Sequence, residues 1–100
     1  MKIEFTEAEV KIMQAALDRW SGNMQIGCLV EECAELIVAL QKHANRNKPN
    51  MIENILEEMA DVEIMLAQVR LHLGIDDDTL RKQIEYKFER ANQYLTRDEV

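Results

Sequence analysis

Residues that end helices are scarce in this chain, and their scarcity is what most limits the folds open to it. Among 100 residues there are 3 Gly and 1 Pro. Between these few breaks, apolar residues recur every three or four positions, which is the spacing of a helix buried along one face. The sequence therefore predicts an all-α protein with four helices, over about 7–20, 24–44, 49–73 and 76–95.

Local signals mark several helix ends. Thr6 and Glu9 have the spacing of a capping box at the start of the first helix. Pro49 suits the first turn of the third helix, and Gly74 suits the position just after its end. The acidic run 76–78 is favoured at the positive N-terminal end of the fourth helix.

The length of the chain fits a single domain over residues 1–100, with its core at about 6–95. Short connections favour antiparallel neighbours, so we expect a four-helix antiparallel bundle. Four helices would cover the long apolar faces of the second and third helices poorly. We therefore expect a homo-oligomer, either a homodimer or a homotetramer.

The chain is acidic, which excludes some classes of partner. It has 12 Lys+Arg against 19 Asp+Glu and a formal net charge of −7, so we expect no nucleic-acid partner and no docking on an anionic membrane. No apolar run approaches the roughly 18–20 residues of a membrane span. Cys28 and Cys33 lie five residues apart on one predicted helix and point in different directions, so they cannot bridge each other. Two unpaired cysteines indicate a reducing, cytoplasmic environment.

Two groups of carboxylates lie at or beside the apolar stripes of the second and third helices. At about 100° per residue, Glu58 falls inside the stripe of the third helix and Asp61 lies at its edge. Glu32 and Glu35 follow one shoulder of the stripe on the second helix, whereas Glu31 points further outward. Acidic runs normally form a solvated face, but this position on the packing faces favours a metal site instead.

Four carboxylates facing one another would repel strongly unless protons or cations neutralised them. Oxygen-only ligands select a hard cation, so we expect Mg²⁺, with Mn²⁺ as a possible substitute. A di-iron bundle would require Glu-x-x-His on two helices. Leu40 and Val69, rather than Glu, stand three residues before the two histidines, which disfavours that alternative.

The sequence resembles the MazG-like members of the all-α nucleoside triphosphate pyrophosphohydrolase superfamily. The signature of that family is Glu-Glu-x-x-Glu, a spacer, and then Glu-x-x-Asp. Here the two parts fall at residues 31–35 and 58–61, separated by a spacer of 22 residues. The segment 87–90 is similar to a Lys-x-x-Arg segment on the last helix of the family, and the resemblance covers about residues 15–95.

The resemblance implies that Mg²⁺ binds the triphosphate and activates a water that attacks the α-phosphorus, which would give a nucleoside monophosphate and pyrophosphate. The implied site has three groups of residues. The metal ligands are Glu32, Glu35, Glu58 and Asp61, the catalytic candidates are Glu31 and Glu35, and the substrate-binding candidates are Gln25, Lys42, Lys87 and Arg90.

Some alternatives stay open at this point. Glu31 either orients a ligand or water or faces solvent, and Lys87 and Arg90 either clamp the departing phosphates or form a solvated basic edge. The enzyme could be a phosphoribosyl-ATP pyrophosphohydrolase, which belongs to the same superfamily. A non-enzymatic helical bundle that binds a protein partner would account for the helices without any metal.

Overall fold

A computed structural model describes residues 4–46 and 51–97 of the chain. These residues form four α-helices and contain no β-strand, which confirms the all-α prediction. Pro49, predicted to start the third helix, lies outside the described residues. The helices are α1 (Glu7–Arg19), α2 (Gly22–Arg46), α3 (Met51–Leu73) and α4 (Asp77–Thr96).

The predicted capping box at the start of α1 is confirmed. The backbone N–H of Thr6 donates to Oε1 of Glu9 at 2.8 Å, and the backbone N–H of Glu9 donates to Oγ1 of Thr6 at 3.1 Å. Each side chain thus satisfies a backbone donor that has no partner inside the helix.

The break between α1 and α2 is shorter than the sequence predicts. The backbone N–H of Met24 donates to Oγ of Ser21 at 3.2 Å, so Ser21 caps a helix that begins at Gly22 rather than at about Met24. A Cβ atom at Gly22 would overlap the imidazole of His72. The turn between α1 and α2 therefore lies directly against the end of α3.

The junction between α3 and α4 is tightly defined by backbone hydrogen bonds. Gly74 has a φ of 68°, the left-handed conformation that glycine adopts without strain. The N–H of Ile75 donates to the carbonyl of Arg70 at 3.0 Å, and the N–H of Gly74 donates to that of Leu71 at 3.3 Å, which is the Schellman pattern. Asp76 then caps α4 by accepting from the N–H of Thr79 at 2.7 Å.

The main packing in the structure is between α2 and α3, while α1 packs on α3. The two helices are antiparallel, because contacts further along α2 are made with residues nearer the start of α3. Gln25 meets Gln68, and Glu32 meets Asp61 further along. The buried apolar residues are few, and they are Met13, Ala39, Ile55, Ala67 and Val69.

The fourth helix does not complete a four-helix bundle in the single chain. It has only marginal contact with the other helices. Leu80, Ile84, Phe88 and Leu95 form an apolar stripe along α4, and most of this stripe stays open, with Phe88 70% exposed and Leu95 77% exposed. Only Leu80 and Ile84, near the start of α4, are half-buried. The Cα radius of gyration is 16.9 Å, compared with about 13 Å for a typical domain of this length. Within one chain, the substantial packing is therefore limited to α1–α3.

Two further sequence expectations concern the membrane and the cysteines. No helix in the described part of the chain is both long enough and apolar enough to cross a membrane. Cys28 and Cys33 are both free, as predicted from their spacing, and both are half-buried.

Candidate metal centre

Three of the predicted metal ligands converge at the interface between α2 and α3. Glu32 of α2 and Glu58 and Asp61 of α3 each offer one carboxylate oxygen, and these oxygens lie within 4.8 Å of one another. The spacing of three residues between Glu58 and Asp61 places both on one face of α3, and the antiparallel register brings Glu32 opposite that face.

Two oxygens of this acidic group are buried without a hydrogen-bond partner among the described residues. They are Oε2 of Glu32 and Oε2 of Glu58. A buried polar atom without a partner destabilises a folded protein, and a charged one does so more strongly. The two oxygens are therefore positioned as a cation or a proton would require.

The pKa values of Glu32 and Glu58 are both raised, because burial and neighbouring carboxylates disfavour their charged forms. Burial raises the pKa of Glu32, and the charges of Glu35, Asp61 and Glu58 raise it further. Burial also raises the pKa of Glu58, with Glu35 as its strongest charged neighbour. Both effects disfavour the ionised carboxylates as long as no positive charge lies among them.

The donor set fits a hard divalent cation. All three side chains offer oxygen, and neither His nor Cys belongs to the group, which favours Mg²⁺ or Mn²⁺ over softer metals. Ligands on opposite sides of one Mg²⁺ ion are about 4.2 Å apart, twice the usual bond of roughly 2.1 Å. Oxygens within 4.8 Å of one another therefore need only a small inward movement of the side chains.

The other two predicted carboxylates lie outside this group. Glu35 is exposed but close enough to Glu32 and Glu58 to raise the pKa of both. It lies beside the acidic group formed by Glu32, Glu58 and Asp61. Glu31 is exposed and does not join the group, which agrees with its outward direction on the predicted helix.

A groove of about 360 Å³ opens beside the acidic group, between α2 and α3. Glu35 and Glu58 line it, and so does the predicted substrate-binding residue Lys42, two turns beyond Glu35 along α2. Asn54 also lines the groove, although the sequence did not single it out. Its position one turn before Glu58 was the signal that could have identified it. The remaining lining residues are small or apolar, namely Ala34, Val38 and Ala39.

Gln25, which is predicted to bind substrate, is buried in the α2–α3 interface. Its side chain is 5% exposed, and that of Gln68 is 6% exposed. Nε2 of Gln68 donates to Oε1 of Gln25 at 2.5 Å. Gln25 thus belongs to the packing between α2 and α3, because a partner 43 residues away buries its amide.

The predicted phosphate clamp on α4 does not meet the acidic group within one chain. Lys87 and Arg90 instead lie near the ring of Tyr86, with Nζ at 5.9 Å and Cζ at 5.8 Å from its centroid. Both are exposed, and α4 has only marginal contact with the other helices.

A larger cavity of about 540 Å³ lies elsewhere, between α1 and the end of α3. None of the predicted site residues lines it. Comparison with protein-family models, curated proteins and solved structures gives no match for this chain.

Proposed function

We propose that the protein is a metal-dependent nucleoside triphosphate pyrophosphohydrolase, which converts a (deoxy)nucleoside triphosphate and water into the monophosphate and pyrophosphate. The observation that carries this proposal is the convergence of Glu32, Glu58 and Asp61 within 4.8 Å, with two of their oxygens buried and unpartnered. A groove wide enough for part of a nucleotide opens directly beside them.

Glu32, Glu58 and Asp61 would hold Mg²⁺, with Mn²⁺ as a substitute. When bound, the cation would neutralise phosphate charge and lower the pKa of water. The positive charge of the cation matters because a protein of net charge −7 otherwise repels a polyanionic substrate. The remaining work of the chain is to position the reactants and stabilise charge, which is the main requirement of phosphoryl transfer.

The proposed reaction needs a proton acceptor near the α-phosphorus. Water forms a bond to that phosphorus, and the bond from the α-phosphorus to the oxygen bridging it to the β-phosphorus breaks. Glu35 is suited to accept the water's proton, because it is exposed and lines the groove beside Glu58. Glu31 is too far outward to join the three ligands and is left with a water-orienting role at most.

The deciding experiment is a substrate panel with identification of the products. Purified protein is incubated with Mg²⁺ and each of the common nucleoside and deoxynucleoside triphosphates, and also with phosphoribosyl-ATP, the substrate of the narrower alternative. We expect monophosphate and pyrophosphate in equal amounts from at least one substrate. Release of orthophosphate alone, or no turnover of any substrate, would contradict the proposal.

A second candidate function is a non-enzymatic helical module that binds a protein partner. The exposed apolar stripe of α4, which includes Phe88 and Leu95, favours association of some kind. As part of the enzymatic proposal, the same stripe supports a homodimer or homotetramer in which a second copy covers it. The two functions differ in their response to metal, since a pure binding module has no reason to be stabilised by Mg²⁺.

A further inference from the structure

The groove beside the acidic group is chemically asymmetric along the α2–α3 interface. On one side of Glu58 it leads to Lys42 and Asn54. Beyond Asp61 and outside the groove, the interface is closed by the buried amides of Gln68 and Gln25, with Gln68 near the sulfur of Met65. An anionic group bound in the groove therefore meets a cation only on the Lys42 side of Glu58.

The ammonium of Lys42 is free to meet an anion. It shares the groove with Glu35 and Glu58, yet the only salt bridge among residues 4–46 and 51–97 joins Arg81 to Glu85 on α4. Lys42 lies two turns, or about 10 Å, beyond Glu35 along α2. Side chains on a helix lean toward its N-terminus, and this tilt directs the long Lys42 side chain back toward the carboxylates.

Asn54 adds a second polar group on the same side of Glu58. It is exposed, one turn before Glu58 on α3, and no hydrogen bond of its side chain to another described residue is found. Its amide can donate two hydrogen bonds to phosphate oxygens. The cations of α4 do not reach this place within one chain, so Lys42 is the cation that the groove itself provides.

We propose that Lys42 and Asn54 bind the departing pyrophosphate, so that the β- and γ-phosphates lie in the groove on the Lys42 side of Glu58. This inference rests on the proposed function and gives the substrate a direction within the groove. Lys42 supplies a charge-assisted hydrogen bond, and the Asn54 amide supplies neutral ones.

The test measures binding of inorganic pyrophosphate by calorimetry with Mg²⁺ present, so it does not depend on turnover. Lys42→Met keeps the length of the side chain and removes its charge, and we expect it to weaken pyrophosphate binding by about tenfold or more. Asn54→Asp keeps the shape and adds a negative charge, and we expect a loss at least as large. Binding of a nucleoside monophosphate should change less than about twofold in both variants.

Lys82→Met is the matched control, because it removes an exposed lysine of α4 that has no part in the site. It should bind pyrophosphate like the unmodified protein. Melting curves with and without Mg²⁺ establish that each variant folds and still binds the cation. Asn54→Ala serves in place of Asn54→Asp if the added charge prevents folding.

Three results would overturn the inference. They are unchanged pyrophosphate binding in Lys42→Met and the Asn54 variant, a larger loss for the monophosphate than for pyrophosphate, and no binding of pyrophosphate by the unmodified protein. The proposed function is judged separately by the substrate panel. Normal turnover with unchanged pyrophosphate binding in the variants would reject only the substrate orientation proposed here and would leave the proposed function in place. Weakened pyrophosphate binding in the variants, without turnover of any triphosphate by the unmodified protein, would reject only the proposed enzymatic function.

Discussion

Gln68 donates a hydrogen bond of 2.5 Å to Gln25 across the α2–α3 interface, and both side chains are almost fully buried. Two amides that satisfy each other inside an apolar contact fix the register of the two helices, because a shift along either axis would leave both without a partner. The same register places Glu32 opposite Asp61. The acidic group thus depends on a polar contact outside it.

This pairing predicts non-additive effects of substitution. Gln25→Leu or Gln68→Leu alone leaves one buried amide unpaired and should lower the free energy of unfolding by about 1–3 kcal/mol. The double variant should be closer to the unmodified protein than the sum of the two single variants, since no unpaired amide remains. Urea denaturation of the four proteins measures the coupling. Additive losses would contradict an energetic connection between the two amides.

A second prediction concerns the trade between stability and function at Glu58. Glu58→Gln keeps the shape and removes one of the charges that repel each other, so without metal the variant should melt at a higher temperature than the unmodified protein. With Mg²⁺ it should gain little further stability, and turnover should fall by about 100-fold or more, because charge stabilisation is lost.

Glu63→Gln is the matched control for Glu58→Gln. Glu63 is an exposed glutamate of the same helix and does not belong to the acidic group. It should show neither the higher melting temperature in EDTA nor the loss of turnover. Near-normal activity of Glu58→Gln would show that the metal centre is assigned wrongly.

The raised pKa values predict how stability depends on pH without metal. Because the pKa values of Glu32 and Glu58 lie above the ordinary 4.5, the folded protein binds more protons than the unfolded chain from about that pH upward. Linkage then makes the free energy of unfolding fall as pH rises, until both groups are ionised. In EDTA, the melting temperature should therefore decline above pH 4.5.

Added Mg²⁺ should reverse this decline, because the cation binds the ionised carboxylates and stabilises the folded state by mass action. Asp76 has the opposite tendency, since the backbone N–H of Thr79 lowers its pKa below 3.8. Its contribution is lost only as the pH falls through that lowered pKa, which separates it from the window of the glutamates. A melting temperature independent of pH in EDTA, with no response to Mg²⁺, would favour the protein-binding alternative.

A fourth prediction concerns the open stripe of α4. If a second copy covers this stripe, Phe88→Asp should reduce the molar mass measured by light scattering and preserve most of the helical content, because a buried charge disrupts an apolar interface. Glu89→Gln, a change at the neighbouring exposed position, should leave the mass unchanged. A monomeric unmodified protein would show that the stripe does not mediate self-association.

Local chemistry explains why much of the fold can be predicted from the sequence. The capping box at Thr6 and the C-cap at Gly74 involve residues within five positions of each other, and both are found as expected. The convergence of Glu32 with Glu58 and Asp61 also follows from helical phase, which is a local property, once the two helices are antiparallel.

The features that the sequence did not reveal depend on distant partners. The burial of Gln25 depends on Gln68, which no local pattern identifies. The stripe of α4 indicates that a face needs cover but not what supplies it, so the expected packing of α4 within one chain was wrong. Asn54 was missed as a groove residue because its position one turn before Glu58 becomes informative only once the packing of α2 on α3 shows that this face lines a groove.

The brief joint at Gly74, Ile75 and Asp76 gives α4 the character of a lever. Its 20 residues span about 30 Å, and hydrogen bonds at the base, rather than side chains along its length, set its direction. A rotation of about 10° at the joint would displace the far tip by roughly 5 Å over that length. Small changes in the backbone at Gly74 would thus decide where the aromatic and basic side chains of α4 are presented to another molecule.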